Sequence, residues 1–179
     1  MAIECMAPRS TVDMPSSRTL TRARFELAIA TGIAGVVSLY AARVLQLPQA
    51  YWAAISSFIV LQSNIAGTLG AARNRLVGTA IGAVIGALSV RYLGAHPLWL
   101  GLAAVLTVLI CQALGLEDSY RLACVTVAIV MLISPMHSAW VTAAYRFLEV
   151  ALGIMVAVAI AAILEHQGAL GGKARTAKP

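Results

Sequence analysis

Two phrases of this chain match: Arg75-Leu-Val-Gly-Thr-Ala-Ile-Gly82 and Arg146-Phe-Leu-Glu-Val-Ala-Leu-Gly153. The second begins 71 residues after the first, and both stand inside long apolar sequence. A phrase repeated at such a distance indicates an internal duplication. When each copy holds three membrane-crossing helices, the second copy must insert upside down. The repeat therefore predicts an inverted bundle of three plus three helices.

The composition is typical of an integral membrane protein. Hydrophobic residues make up 60% of the chain, charged residues 11%, and the mean hydropathy is +0.86. These polar residues are too few to cover a soluble core of 179 residues. The charged residues divide the chain into six uncharged runs that, with their flanks, suit helices crossing about 30 Å of hydrocarbon.

We predict an all-α fold, a polytopic bundle with six transmembrane helices at residues 25–45, 49–63, 74–93, 98–116, 119–134 and 142–165. Ser56, Ser57 and Ser63 dilute the second helix, so a five-span or re-entrant arrangement stays open. Residues 1–24 have neither an apolar core nor a small-residue cleavage site, and we expect a disordered cytoplasmic tail there rather than a signal peptide. Residues 166–179 would form a basic cytoplasmic tail.

The net charge of +6 is explained by membrane topology. With six spans and a cytoplasmic N-terminus, ten Arg and Lys residues lie on the cytoplasmic side, and only Arg43, Arg91 and Arg146 lie opposite. This distribution follows the positive-inside rule. We therefore expect both termini in the cytoplasm, the chain in a bacterial inner membrane, and no nucleic-acid partner.

Small residues recur every four positions in the third and sixth helices, at Gly78, Gly82 and Gly86 and again from Gly153. In lipid, such stripes let helix backbones approach closely. We predict that these two helices form a tight interface, with each other or with a second subunit.

No catalytic, cofactor or metal signature is present in the sequence. The motifs HExxH, GxSxG and a Walker loop are absent, and the carboxylates are too few for a metal cluster. Cys5, Cys111 and Cys124 show no metal-type spacing. We expect a protein that is not an enzyme and that binds neither a cofactor nor a metal.

The chain resembles the membrane domain of the fusaric acid resistance proteins and aromatic acid exporters. The resemblance spans about residues 20–164 and rests on four phrases in this order: Pro48-Gln-Ala-Tyr-Trp-Ala-Ala, Ile59-Val-Leu-Gln62, and the two repeated phrases. It implies efflux of aromatic carboxylic acids through a six-helix domain, with proton coupling. Large members have two membrane blocks and a cytosolic domain, whereas this chain has one block. A second copy in a homo-oligomer, or another partner, would then supply the other half.

The candidate substrate and coupling residues are few. Arg146 and Glu149 lie three apart on one helical face, so Glu149 could exchange a proton while Arg146 binds an organic carboxylate. Alternatively, they form a salt bridge that anchors the start of the sixth helix. Arg75, at the cytoplasmic start of the third helix, could attract the anion or only set the topology.

Polar residues near the helix breaks are further candidates for the site. Gln62 and Asn64 follow the second helix, and His137 follows the fifth. Interrupted helices often form transporter sites, although these side chains could equally face water in loops. Trp52, with the other tryptophans and several tyrosines, is expected in an interfacial aromatic belt.

The sequence thus predicts a transporter that exports small organic anions from the lipid bilayer of the inner membrane. A periplasmic adaptor is a candidate partner. The alternative is a non-transporting membrane subunit whose glycine stripes bind another protein and whose ion pair is structural.

Overall fold

The computed structural model describes the backbone of residues 17–94, 96–133 and 139–176, and the side chains of residues 25–94, 96–133 and 139–166. Its elements are six α-helices, which confirms the all-α prediction. The helices are α1 (Ser17–Val44), α2 (Tyr51–Val60), α3 (Ile65–Leu93), α4 (Pro97–Ala113), α5 (Tyr120–Ile133) and α6 (Ala139–Thr176).

The helices differ in their capacity to cross a membrane. Within α1, α3 and α6, the segments Phe25–Val44, Ile65–Leu93 and Ala139–His166 are long and apolar enough to span one. The other three helices are apolar but shorter, with 10, 17 and 14 residues in α2, α4 and α5. At 1.5 Å per residue, α2 rises about 15 Å, about half the hydrocarbon thickness.

Helix α3 begins at Ile65, nine residues before the predicted start. Asn64 caps this end, because its Oδ1 accepts a hydrogen bond from the Gly67 N–H at 2.6 Å. Such a cap contributes about 1 kcal/mol, which offsets much of the low helix propensity of Gly67 and Gly70. Arg75 consequently lies well inside the helix rather than at its start, which corrects the predicted location.

Helical structure also enters both segments that the sequence suggested as tails. Helix α1 begins at Ser17 rather than near residue 25, and α6 continues to Thr176 rather than ending near residue 165. A helix satisfies its backbone hydrogen bonds internally, so polar side chains do not end it.

Helices α3 and α6 are central to the bundle. Helix α3 packs against α2, α4, α5 and α6, while α6 packs against α5, α1, α2 and α3. These sets of neighbours correspond when α1 is exchanged with α4, α2 with α5, and α3 with α6. The neighbours therefore follow the duplication inferred from sequence, while the inversion of one unit stays a prediction.

The apolar core shows that α3 and α6 run in opposite directions. Near the start of α3, Ala72 shares an apolar cluster with Ala157 and Ala161 from the later part of α6. Near the end of α3, Ala87 shares another cluster with Ala143 from the beginning of α6. The two central helices are thus antiparallel, and the predicted contact between them is present.

The glycines of α3 and α6 face other helices of the bundle than the sequence predicted. A Cβ at Gly82 would overlap the Ala123 carbonyl oxygen of α5, and a Cβ at Gly153 would overlap the Ala53 carbonyl oxygen of α2. Gly78 and Gly86 also face α5. The close backbone approaches are therefore α3 with α5 and α6 with α2, rather than α3 with α6.

We expect Gly82→Ala to destabilise the bundle by about 1–3 kcal/mol, because the new methyl group would meet backbone atoms of α5 that cannot rotate away. The measurement is the thermal unfolding midpoint of the purified protein in detergent. Gly70→Ala, on the same helix, is the matched control, because its Cβ would meet nothing within 4 Å. Equal midpoints for the two variants would contradict this account of the interface.

Candidate functional site

Two oppositely charged side chains are buried together on α6. Arg146 is 2% exposed and Glu149 1% exposed, and the Arg146 Nη1 lies 3.1 Å from the Glu149 Oε2. Counted from Ala139, they lie about 10 and 15 Å along the helix. The pair is therefore two to three turns inside α6, not at its start as an anchoring role would require.

The segment that leads into α2 completes this cluster. The backbone N–H of Gln49 donates to the Glu149 Oε1 at 2.8 Å, and the Gln49 side-chain oxygen accepts from the Arg146 Nη2. The Arg146 guanidinium lies over the Trp52 ring, 4.6 Å from its centroid, within cation–π range. Both oxygens of Glu149 thus have partners, and the carboxylate lies beside the positive end of the α2 dipole.

Three buried polar atoms of the same region have no hydrogen-bond partner among the described residues. They are the Nε of Arg146, the Nε1 of Trp52 and the Oγ of Ser56, one turn after Trp52 on α2. Buried polar atoms of native proteins are nearly always paired. The cluster therefore has donors that could bind an anionic ligand or water.

The first copy of the repeat contains another buried arginine. Arg75 is 3% exposed and is the repeat counterpart of Arg146, whereas Gly78 occupies the position equivalent to Glu149. The Nε of Arg75 is unpaired, and no ion pair links Arg75 to an acidic side chain in the described part of the chain. Each half thus buries an arginine, but only in the second half does a described carboxylate pair with it.

A family model described as aromatic acid exporter family member 1 matches residues 26–164. The chain belongs to the aromatic acid exporter family. Comparison with curated proteins and with solved structures gives no match. The matched region includes α2 to α5 whole, most of α1 and α6, and both buried arginines, and it confirms the resemblance drawn from the four sequence phrases.

Membership of an exporter family indicates that the protein acts in membrane efflux. Two other candidates lie away from the Arg146 cluster. Gln62 and Asn64 follow the opposite end of α2 from Gln49; both are exposed, and Asn64 caps α3. The Gln62 N–H donates to the Thr68 Oγ1 at 3.0 Å. His137 lies outside the described residues. The structure therefore does not bring Gln62 and Asn64 to the buried ion pair.

Sequence reasoning missed Gln49, Trp52 and Ser56 as members of the exporter's cluster. The phrase that begins at Pro48 contributed to the family resemblance, but Trp52 was assigned to the aromatic belt. Its neighbour Tyr51 is 49% exposed, as a belt residue would be, while Trp52 is half-buried against Arg146. The sequence contained a signal for this contact, because the family phrases that begin at Pro48 and at Arg146 are the two that meet in the cluster.

We expect Arg146→Gln to lower the free energy of unfolding by about 3–5 kcal/mol, because it leaves the Glu149 carboxylate buried without its cation. The double variant Arg146→Gln/Glu149→Gln should lose less than the sum of the two single variants, since no unpaired charge remains. Unfolding in detergent measures the loss of stability in the two single variants and in the double variant. Arg73→Gln is the control, because it removes the same charge from an exposed position. Strictly additive losses would show that the pair does not interact.

Proposed function

We propose that this protein is a secondary transporter that exports small organic anions, aromatic carboxylic acids in particular, from the bacterial cytoplasm. The observation that supports it most is the Arg146–Glu149 pair, buried inside a membrane-length helix beside unpaired donors. An ionised side chain at such a depth costs about 2.5–3.5 kcal/mol on insertion scales, and retained examples usually mark substrate or ion paths.

The chemistry of the cluster suits an aromatic carboxylate. A guanidinium can bind a carboxylate through two parallel hydrogen bonds. The Arg146 Nε is unpaired, so a substrate carboxylate would find a donor there, with the Trp52 Nε1 as a further candidate. The Trp52 ring offers an aromatic surface next to this cation. The substrate would therefore be recognised by its charge and by its ring.

Proton coupling would follow from competition between two carboxylates. In the structure, Glu149 neutralises Arg146. A proton that binds the Glu149 carboxylate removes its negative charge, weakens the ion pair and makes Arg146 available to the substrate anion. Release of the proton restores the pair and expels the anion. In this scheme the anion binds when Glu149 is protonated and leaves when the proton leaves, so proton and anion would cross together as the antiparallel helices α3 and α6 shift relative to each other.

We propose that the two three-helix units are inverted, with both termini cytoplasmic, and that two copies of the chain assemble. The antiparallel α3 and α6 and the matching helix neighbours support inversion. Many large apolar side chains are exposed on the outer faces, for example Val36, Leu109 and Met155, as expected for contact with lipid or a second copy. A periplasmic adaptor would extend the export path.

One observation favours the alternative of a non-transporting subunit. Both Glu149 oxygens are already used within the chain, one by Arg146 and one by the Gln49 N–H. On this alternative, the carboxylate has the structural role of fastening α6 to α2. The protein would then act by binding another membrane protein, and it would show no flux alone.

The test is flux of labelled benzoate and hexanoate in proteoliposomes that contain only this protein, with and without a pH gradient. We expect the gradient to drive benzoate accumulation in the native protein. Glu149→Gln should abolish that accumulation, because the amide cannot exchange a proton, while flux down a benzoate gradient persists. Protein-free vesicles correct for passive leakage of the neutral acid.

The matched control for this experiment is Glu165→Gln, an exposed acid on the same helix whose carboxylate contacts the Ile65 N–H at 3.2 Å. It should retain gradient-driven accumulation. Accumulation that survives Glu149→Gln would refute the coupling mechanism. Absence of flux for every acid, in a protein that is folded, would refute autonomous export and support the subunit alternative.

A further inference from the structure

Arg75 is a buried cation for which the described part of the chain supplies no counter-charge. It is 3% exposed, and it lies about 15 Å along α3 from Ile65. No described carboxylate forms an ion pair with it, and its Nε has no hydrogen-bond partner. Arg146, its repeat counterpart, has a carboxylate, an amide oxygen and an aromatic ring around it. An uncompensated buried charge strongly destabilises a protein, so Arg75 requires a counter-charge from outside these residues.

The packing of α5 explains why α3 cannot supply an acid one turn after Arg75. At the equivalent place in the second copy, Glu149 reaches the backbone before α2. At Gly78, a Cβ would lie 2.6 Å from the Ser119 carbonyl oxygen and 3.1 Å from the Leu122 Cβ. Helix α5 thus occupies the space that an acidic side chain would need. A counter-charge for Arg75 has to come from elsewhere.

A second unpaired polar atom lies at the same level of the α3–α5 contact. Ser119 directly precedes α5 and is 1% exposed, and its Oγ has no partner among the described residues. Its backbone carbonyl, directly before α5, faces Gly78, which lies one helical turn after Arg75. The Arg75 and Ser119 side chains are both buried and both can donate, which is chemically suited to an anion.

We propose that Arg75 binds the carboxylate of the exported anion, at a second site in the opposite half of the membrane from Arg146. The antiparallel course of α3 and α6 places the two arginines toward opposite ends of the bundle. This inference rests on the proposed function. The Arg75 site has no competing carboxylate of its own, so substrate binds there without displacing Glu149. Arg75 is buried in the present conformation, so the bundle has to open around it to admit the ligand.

The test measures benzoate binding to the purified protein in phosphatidylcholine nanodiscs by thermal unfolding. At a benzoate concentration tenfold above its Kd, we expect the midpoint of the native protein to rise by about 3 °C. Arg75→Gln should weaken benzoate binding at least tenfold. Without benzoate, Arg75→Gln should unfold at the native midpoint or above it, because it removes an unpaired buried charge. Arg75→Lys, which retains the charge but not the planar guanidinium, should bind with intermediate affinity.

The matched control is Arg73→Gln, which removes the same charge from an exposed position two residues away and should bind benzoate like the native protein. Benzamide, which has the ring but no charge, should not shift the midpoint. A shift produced by phosphatidylglycerol in the nanodisc, dependent on Arg75, with none from benzoate, would assign the site to a lipid phosphate and overturn the proposal.

The outcomes separate this inference from the proposed function. Native-like benzoate affinity in Arg75→Gln, or a clear fall of its midpoint without ligand, would overturn the role of Arg75 even where the native protein transports benzoate. Conversely, binding that depends on Arg75 in a protein without any flux would support the site and refute export.

Discussion

The contact between the Glu149 carboxylate and the backbone before α2 is the interaction on which the cluster depends. Helix α2 is too short to cross the hydrocarbon, and a ten-residue helix is marginal alone. The Gln49 N–H donates to Glu149, the Gln49 side chain accepts from Arg146, and Gly153 allows the α2 backbone to lie against α6. These contacts, about 100 residues apart in the chain, hold α2 against the second half of the bundle.

The duplication is visible in packing as well as in sequence, and the difference between its copies is informative. The contact of Gly82 in the first unit with Ala123 in the second corresponds to the contact of Gly153 in the second unit with Ala53 in the first. Where the second half has Glu149, however, the first half has Gly78, and α5 fills the space. One half therefore neutralises its buried arginine internally, and the other does not. A structural duplication has thus produced two electrostatically different environments in an exporter-family membrane protein.

The arrangement joins the fold to the proposed transport chemistry. In a membrane interior, charge has to be neutralised wherever it is buried, so an arginine with an exchangeable counter-charge can bind a passing anion. The central helices α3 and α6 each contain one buried arginine, and the two helices contact each other. A relative shift of these two helices would therefore alter both environments at once.

The sequence by itself determined the membrane class, six apolar helices, the repeat, the family and the pairing of Arg146 with Glu149, because these follow from composition and from spacing within one helix. The start of α3 was predicted nine residues late, since glycines lower helix propensity but a cap can offset them. The tertiary structure alone decided that the glycines face α5 and α2, and that Gln49 and Trp52 surround the ion pair. It also decided that Arg75 is buried and lacks a counter-ion within the described residues. Such contacts depend on helix rotation and on distant segments meeting, and local sequence periodicity contains neither.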